Sequence, residues 1–507
     1  MANIQGSNTR RNILELPPEI MIKIFEHLTF HERLMISIIC KSWHELAYSP
    51  QFCKKLFLHL RTSDSLAKKP YAREMFARCR NVIISCALIE DDHLNLLKEY
   101  MEGISLELLK ISTLNHTAKR IVESTLQKIA VLKTLRLDLK EDHENETIRI
   151  SHPTLKCAIL NGQWDQGNKC DNLTILESYL LDNEGARGMS SLQRQLTSLT
   201  VTGSYKEIYT YMSDSEYISQ WDHLRELYLI FPPYGDTLED MLERMPCLEK
   251  LSLHNKYDQD FTGQELKAAK CLSELALKMY SVDTNSLNKY LSRSSLRSLS
   301  LLKCMLASGT EVPLKSASIK RMNFERFLPL DMLPLFPNLE DLSLLCSEAH
   351  YSSTINQICQ CYPKLERLSI GVRCGQIGQF QSAAGEINTN PFLRINSLSK
   401  LKVLRINRID LRKIDWMTCK GSKVEFIWLN GCSISGTGAD QLLQSFEHLR
   451  TLYLDHCYLQ LPQSDLFDID ETCVNGLRSR FPNRRISYYD CHIEESFDRC
   501  GRVMDVI

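Results

Sequence analysis

An α/β solenoid preceded by a small all-α module is the fold class this sequence predicts, and three observations predict it. A six-residue leucine pattern recurs through most of the chain, the segments between its copies read as short amphipathic helices, and residues 12–58 depart from the period. A repeated period sets an architecture before any single helix or strand is assigned.

The pattern reads LxxLxL and starts at Leu224, Leu248, Leu272 and Leu296, at intervals of 24 residues. It continues from Ile319, Leu339, Leu365, Leu401, Val424 and Leu449. Looser copies begin at Leu106, Leu132, Leu155 and Leu196, and the weakest at Cys79 and Leu173. Within a copy the apolar residues alternate, so they point to one side of a short strand while the first leucine closes the preceding turn. One copy cannot bury that side alone; stacking successive copies makes a parallel sheet, and the intervening chain returns over the other side. Two of the returns, DTLEDMLERM at 236–245 and GADQLLQSF at 438–446, carry helical periodicity. Pro246, Pro337 and Pro363 sit in the turns ahead of strands, where a fixed φ fits. The pattern resembles the leucine-rich repeat, which implies a horseshoe with a parallel inner sheet and outer helices. In LRSLSLLKC, VEFIWLNGC and LRTLYLDHC it extends to Cys304, Cys432 and Cys457. A small thiol at that place packs tightly and donates weakly to stacked carbonyls. The following CSISGTGADQLL resembles the cysteine-containing subtype of the repeat.

The N-terminal stretch needs its own reading. In NILELPPEIMIKIFEHL, Pro17 or Pro18 stands at a helix start, where a missing N–H costs nothing. Ile20, Ile24 and Leu28 then form one apolar stripe. A second apolar cluster at Leu34 to Ile39 leads into CKSWHELA. So few residues bury little surface, and a module of this size gains stability by docking on a partner. Leu16, Pro17, Glu19, Ile20, Ile24, Phe25, Leu28, Leu34, Cys40, Lys41 and Trp43 together resemble an F-box. That resemblance implies binding to the Skp adaptor of an SCF-type cullin-RING ubiquitin ligase. Leu16, Pro17, Glu19, Ile20, Ile24 and Leu28 would meet the adaptor, with Trp43 anchoring the last helix. The alternative is that these apolar residues fill an internal core.

These readings divide the chain into an F-box at 12–58, a connector at 59–78, the solenoid at 79–490 and a C-terminal tail at 491–507. The 61 basic and 62 acidic residues nearly cancel, so overall charge gives no basis for nucleic-acid or anionic-membrane binding. No secretory leader pattern and no apolar run of about twenty residues is read, and a cytoplasmic or nuclear protein is expected. The 19 cysteines are accordingly expected as thiols rather than disulfides.

No phosphate-binding loop, nucleophile elbow or zinc-binding helix is found, and the pair Cys359 and Cys361 lacks a second ligand pair. No cofactor, metal or catalytic residue is therefore named. Recognition is expected from strand residues between the core leucines, namely Arg405, Asn407, Phe426, Trp428, Tyr453 and Asp455, on the wall that also carries Val403, Asn430 and Thr451. The tail DCHIEESFDRCGRVMDVI could instead cover these aromatics. Two irregular segments, 203–222 with four tyrosines and the Gly- and Gln-rich stretch ending at Phe392, read as surface loops. The implied role is a non-catalytic substrate receptor for ubiquitin transfer. A non-degradative adaptor and a leucine-rich scaffold are the alternatives.

Overall fold

In the computed structural model the described residues are 13, 16–28, 30–53, 57–60, 79–85, 91–114, 116–139, 147–161, 163–164, 169–180, 192, 194–203, 221–230, 232, 235–306, 312–325, 333–346, 350–372, 390–460, 466–469 and 471–489. They belong to two compact units, Met1–Leu224 and Arg225–Ile507.

The first unit opens with α1 (Pro18–Glu26), α2 (Phe30–Ser37), α3 (Lys41–Ala47) and a single turn, α4 (Pro50–Cys53). Pro17 is extended and caps α1, and Pro18 occupies its first turn beside Glu19, whose charge suits a helix N-terminus. Seven parallel strands follow: β1 (Phe57–Leu60), β2 (Asn81–Ser85), β3 (Ser105–Leu114), β4 (Val131–Leu139), β5 (Cys157–Asn161), β6 (Ile175–Leu180) and β7 (Ser198–Gly203). Their Cα register runs Leu58, Val82, Leu109, Leu135, Ala158, Leu176, Leu199. The weak copies at Cys79 and Leu173 are thus genuine repeats, and Cys79, Val82, Leu173 and Leu176 are all buried.

The second unit holds β8 (Glu226–Ile230), β9 (Lys250–Phe261), β10 (Glu274–Val282), β11 (Ser298–Leu302), β12 (Arg321–Phe324), β13 (Asp341–Cys346), β14 (Arg367–Val372), β15 (Val403–Asn407), β16 (Phe426–Asn430), β17 (Thr451–Asp455) and β18 (Arg485–Tyr489). Each pairs in parallel with the next. Leu227, Leu251, Leu275 and Leu299 are direct partners, so the interval of 24 residues read from the sequence is the stacking interval. The returns include helices at Gly235–Glu243, Thr284–Leu291, Tyr351–Cys361, Gly436–Ser445 and Glu471–Arg480. The three apolar positions of a copy are buried, as at Leu296, Leu299 and Leu301, and the alternating strand residues Ser298 and Ser300 are half-buried. The fold is a leucine-rich-repeat solenoid.

Two backbone devices recur at the strand ends. At the start, one carbonyl serves two donors: Glu249 O accepts from Ser273 N at 2.8 Å and from Glu274 N at 3.0 Å, and Arg297, Lys320, Glu340, Glu366, Lys402 and Glu425 do the same. At the end, Met279, Lys303, Arg408, Gly431 and His456 have positive φ, between 48° and 61°. This left-handed residue turns the next side chain into the core, where Tyr280, Cys304, Ile409, Cys432 and Cys457 are buried. The thiols behave as anticipated, Cys304 donating to Leu277 O at 3.2 Å, Cys432 to Ile406 O at 3.3 Å and Cys457 to Leu429 O at 3.2 Å.

The parallel ladder starts at Phe57, inside the stretch the sequence reading divided between F-box and connector. Lys55 occupies the first-leucine place there and Asn483 occupies it before β18, so neither terminal strand matches the motif. Terminal copies of a repeat array are commonly atypical. Residues 61–78, 204–220, 373–389 and 490–507, which contain most of the connector, most of both expected loops and the tail, lie outside the described residues. Among the described residues no helix is long and apolar enough to cross a membrane.

Candidate protein-binding surfaces

In the N-terminal module two neighbouring sets of apolar residues lie on α1. Met21 and Phe25 face inward and are buried with Ala47 and Phe52, while Leu16, Ile22, Leu28, Ile36, Trp43, Leu46 and Tyr48 pack partly against them. Phe25 meets Trp43 edge to face at 5.8 Å. Ile20 and Ile24 point outward, 43% and 36% exposed, and Met35, Ile38 and Ile39 are exposed on and just after α2. The stripe expected from Ile20, Ile24 and Leu28 is therefore divided, because Leu28 turns toward the core. Trp43 is committed to Phe25, whereas Pro17 and Glu19 remain exposed at the helix start.

One residue that sequence reasoning missed ties the module together. Arg33 donates from Nη1 to Phe25 O at 3.2 Å and to Leu28 O at 3.1 Å, and its guanidinium lies 4.7 Å from the centre of the Phe52 ring. It thereby adds a side-chain donor at the end of α1, to Leu28 O and to Phe25 O, which also accepts from Leu28 N at 3.2 Å. An arginine in a charged run, FHERLM, gives no sequence signal for such a role.

The second candidate surface is the strand face of the second unit. Its central row runs Ser252, Ala276, Ser300, Asn323, Ser343, Ser369, Arg405, Trp428, Tyr453 in direct Cα register. The strand-start row alternates in charge and neutralises itself through Lys250–Glu226 at 2.6 Å, Arg321–Glu274 at 2.6 Å and Arg367–Asp341 at 2.8 Å. Hydrogen bonding to Glu226 holds the Lys250 ammonium above its ordinary pKa.

All six residues named from the sequence lie on this face. Arg405, Trp428 and Tyr453 are consecutive in the central row, and Asn407 and Asp455 stand in the strand-end row on either side of Asn430. Phe426 starts its strand between Val403 and Thr451. The Arg405 guanidinium stacks 5.0 Å from the Trp428 ring centre, and Trp428 and Phe426 lie 6.0 and 5.3 Å from Tyr453. Trp428 is half-buried among these neighbours, and its Nε1–H has no acceptor among the described residues. Asn407 donates to Ser369 Oγ at 3.3 Å, and Asp455 lies 3.5 Å from the His456 ring. Such a platform of aromatic rings and a guanidinium is the chemistry of protein-binding hot spots. The Cys359 thiol, considered above as a weak metal ligand, is buried in its helix and pushed up to about 11 by that burial.

A family model described as F-box-like matches residues 13–59. Among solved structures, the TLR13 chain of a TLR13–ssRNA13 complex aligns over 81% of this chain with a TM-score of 0.37 and 14% identity. The chain spans 59% of that protein's length. A leucine-rich-repeat protein of Leptospira interrogans aligns over 86% of this chain and 96% of its own, with a TM-score of 0.29 and 13% identity. The chain carries an F-box-like module at residues 13–59 followed by leucine-rich repeats.

Proposed function

We propose that this protein is a non-catalytic substrate receptor of an SCF-type cullin-RING ubiquitin ligase. The F-box-like module binds a Skp-type adaptor and, through it, cullin and RING subunits, and the strand face around Trp428 binds the protein target. One observation supports this reading most directly: α1 of the F-box-like module buries Met21 and Phe25 yet leaves Ile20 and Ile24 exposed. Exposed isoleucines beside a complete small core suit a surface meant for a second protein. The strand face adds a row of stacked side chains that stabilise no core of their own. Ubiquitin transfer itself is assigned to the other subunits.

The test is co-purification of the full chain with Skp-type adaptor and cullin, with and without Leu16→Ala and Pro17→Ala. The paired change should remove the adaptor. Stoichiometric adaptor retained by that variant, or none bound by the unaltered chain, overturns the proposal. Ubiquitylation and half-life of a bound target, compared with the module intact and disabled, then separate a degradative receptor from a passive adaptor.

A further inference from the structure

We infer that the patch of Arg405, Trp428 and Tyr453 takes a carboxylate-bearing segment of a protein. An Asp or Glu of the segment pairs with the guanidinium, and an adjacent apolar side chain covers the rings. The inference rests on the reading that the strand face binds targets, and it adds what such a target must carry.

Charge supplies the first argument. Arg405 is the sole charged member of the central row from Ser252 to Tyr453, and no carboxylate lies within ion-pair distance of it among the described residues. Lys250, Arg321 and Arg367 of the strand-start row, by contrast, are spent on Glu226, Glu274 and Asp341. Arg405 instead lies over the face of Trp428, and its N–H groups have no acceptor among the described residues. Covering that guanidinium with a neutral segment would strand a buried charge without a partner, which is strongly unfavourable. A docking segment therefore has to supply an anion.

The kind of anion follows from number and shape. Arginine presents a planar fork that matches a carboxylate with two parallel bonds. One cation neutralises one carboxylate, whereas a phosphate monoester, at about −1.5 to −2, would leave negative charge uncompensated. The rings alongside supply the apolar half of the contact. Before Arg405 the row from Ser252 to Ser369 carries only Ser, Ala and Asn side chains, so the arginine and the tryptophan are the first long side chains along it. The Trp428 Nε1–H, shielded and without an acceptor among the described residues, gives the patch a second donor that a bound segment's carbonyl relieves once the ring adjusts.

The probe is a set of fluorescein-labelled twelve-residue synthetic peptide mixtures. One central position is fixed as Glu, Gln, Lys or phosphoserine, the next is fixed as Phe, and the rest are degenerate. Binding to the full chain is read by fluorescence polarisation. The Glu mixture should bind at least about tenfold more tightly than the Gln mixture, a difference of about 1.4 kcal/mol. Arg405→Gln should erase that preference with the thermal melt unchanged, and Arg405→Glu should make the Lys mixture the tightest. Equal binding of the Glu and Gln mixtures overturns the inference, as does a preference that survives Arg405→Gln. Tenfold tighter binding of phosphoserine overturns it in favour of a phosphorylated segment. A Glu preference seen only after residues 490–507 are deleted overturns it in favour of the chain's own tail. Adaptor co-purification is read separately, so loss of peptide selection with adaptor retained sinks this inference alone.

Discussion

Arg321 reaches past Ser298 to place its Nη2 2.6 Å from Glu274 Oε1, two strands away. The gap exists because the intervening strand presents only a hydroxymethyl group in that row. Both side chains remain substantially solvated, 47% and 33% exposed, and the short distance therefore overstates their worth. A double-mutant cycle with Glu274→Ala and Arg321→Ala should give a coupling below about 1 kcal/mol. The coupling should shrink further in about 1 M salt, where the screening length is about 3 Å.

Leu299 lies one position along the same strand system but is fully buried, with Leu275 and Met322 as its register partners. Leu299→Ala should cost about 2–5 kcal/mol in denaturant unfolding. Leu299→Asp should disrupt several adjacent repeats, read as a large loss of ellipticity at ambient temperature. A melt of the aspartate variant matching the unaltered protein would count against this register.

Gly371 packs between strands where a Cβ would stand 2.9 Å from Leu345 Cδ2, 3.0 Å from Asn407 Cβ and 3.1 Å from Asn407 O. The leucine methyl can yield, but the asparagine backbone is held in the ladder. Gly371→Ala should destabilise the protein by about 1–3 kcal/mol, as overpacking does. Because Asn407 borders the Arg405 patch, peptide binding should weaken together with the melting temperature.

His254 gives a pH prediction. Burial, aided by Lys278 and Lys303, lowers its pKa from 6.5 to about 4. Above pH 6.5 the ring is neutral whether the chain is folded or not. Below it the unfolded chain takes up a proton that the folded chain refuses until about pH 4, so stability falls across that interval. His254→Gln should flatten this part of the pH dependence of the urea midpoint. Parallel curves for the two proteins would show that the ring does not contribute.

In the F-box-like module, neighbouring residues of one helix should separate folding from docking. Phe25→Ala removes a fully buried ring and should cost about 3–5 kcal/mol. Ile24→Glu alters an exposed side chain and should leave the melt nearly unchanged while adaptor co-purification is lost.

The repeats were legible where their physics is periodic. Leu227, Leu251, Leu275 and Leu299 recur at one interval because each must meet the same neighbour, and Cys304, Cys432 and Cys457 follow from the turn after the strand. Phe57–Leu60 and Arg485–Tyr489 were not read as copies, since each lacks the first leucine and is recognised only by what it pairs with. Alternation alone puts the six wall residues on one side of their strands, where the register also has them. Alternation says nothing of cross-strand contacts, however, and so the covering of Trp428 by Arg405 escaped it. On α1 the adjacent sets Ile20 with Ile24 and Met21 with Phe25 are equally apolar. Only the packed helices decide which set turns inward.

The strands stay matched Cα to Cα although 20 residues separate Met322 from Leu342 and 36 separate Leu368 from Leu404. Insertions on the returning side are therefore silent at the sheet: a return may lengthen by several turns of chain without displacing one residue of the opposite face. Recognition can be rewritten strand by strand while the scaffold length drifts, and a single strand transplanted from a related array would bring its three outward side chains into a preset frame.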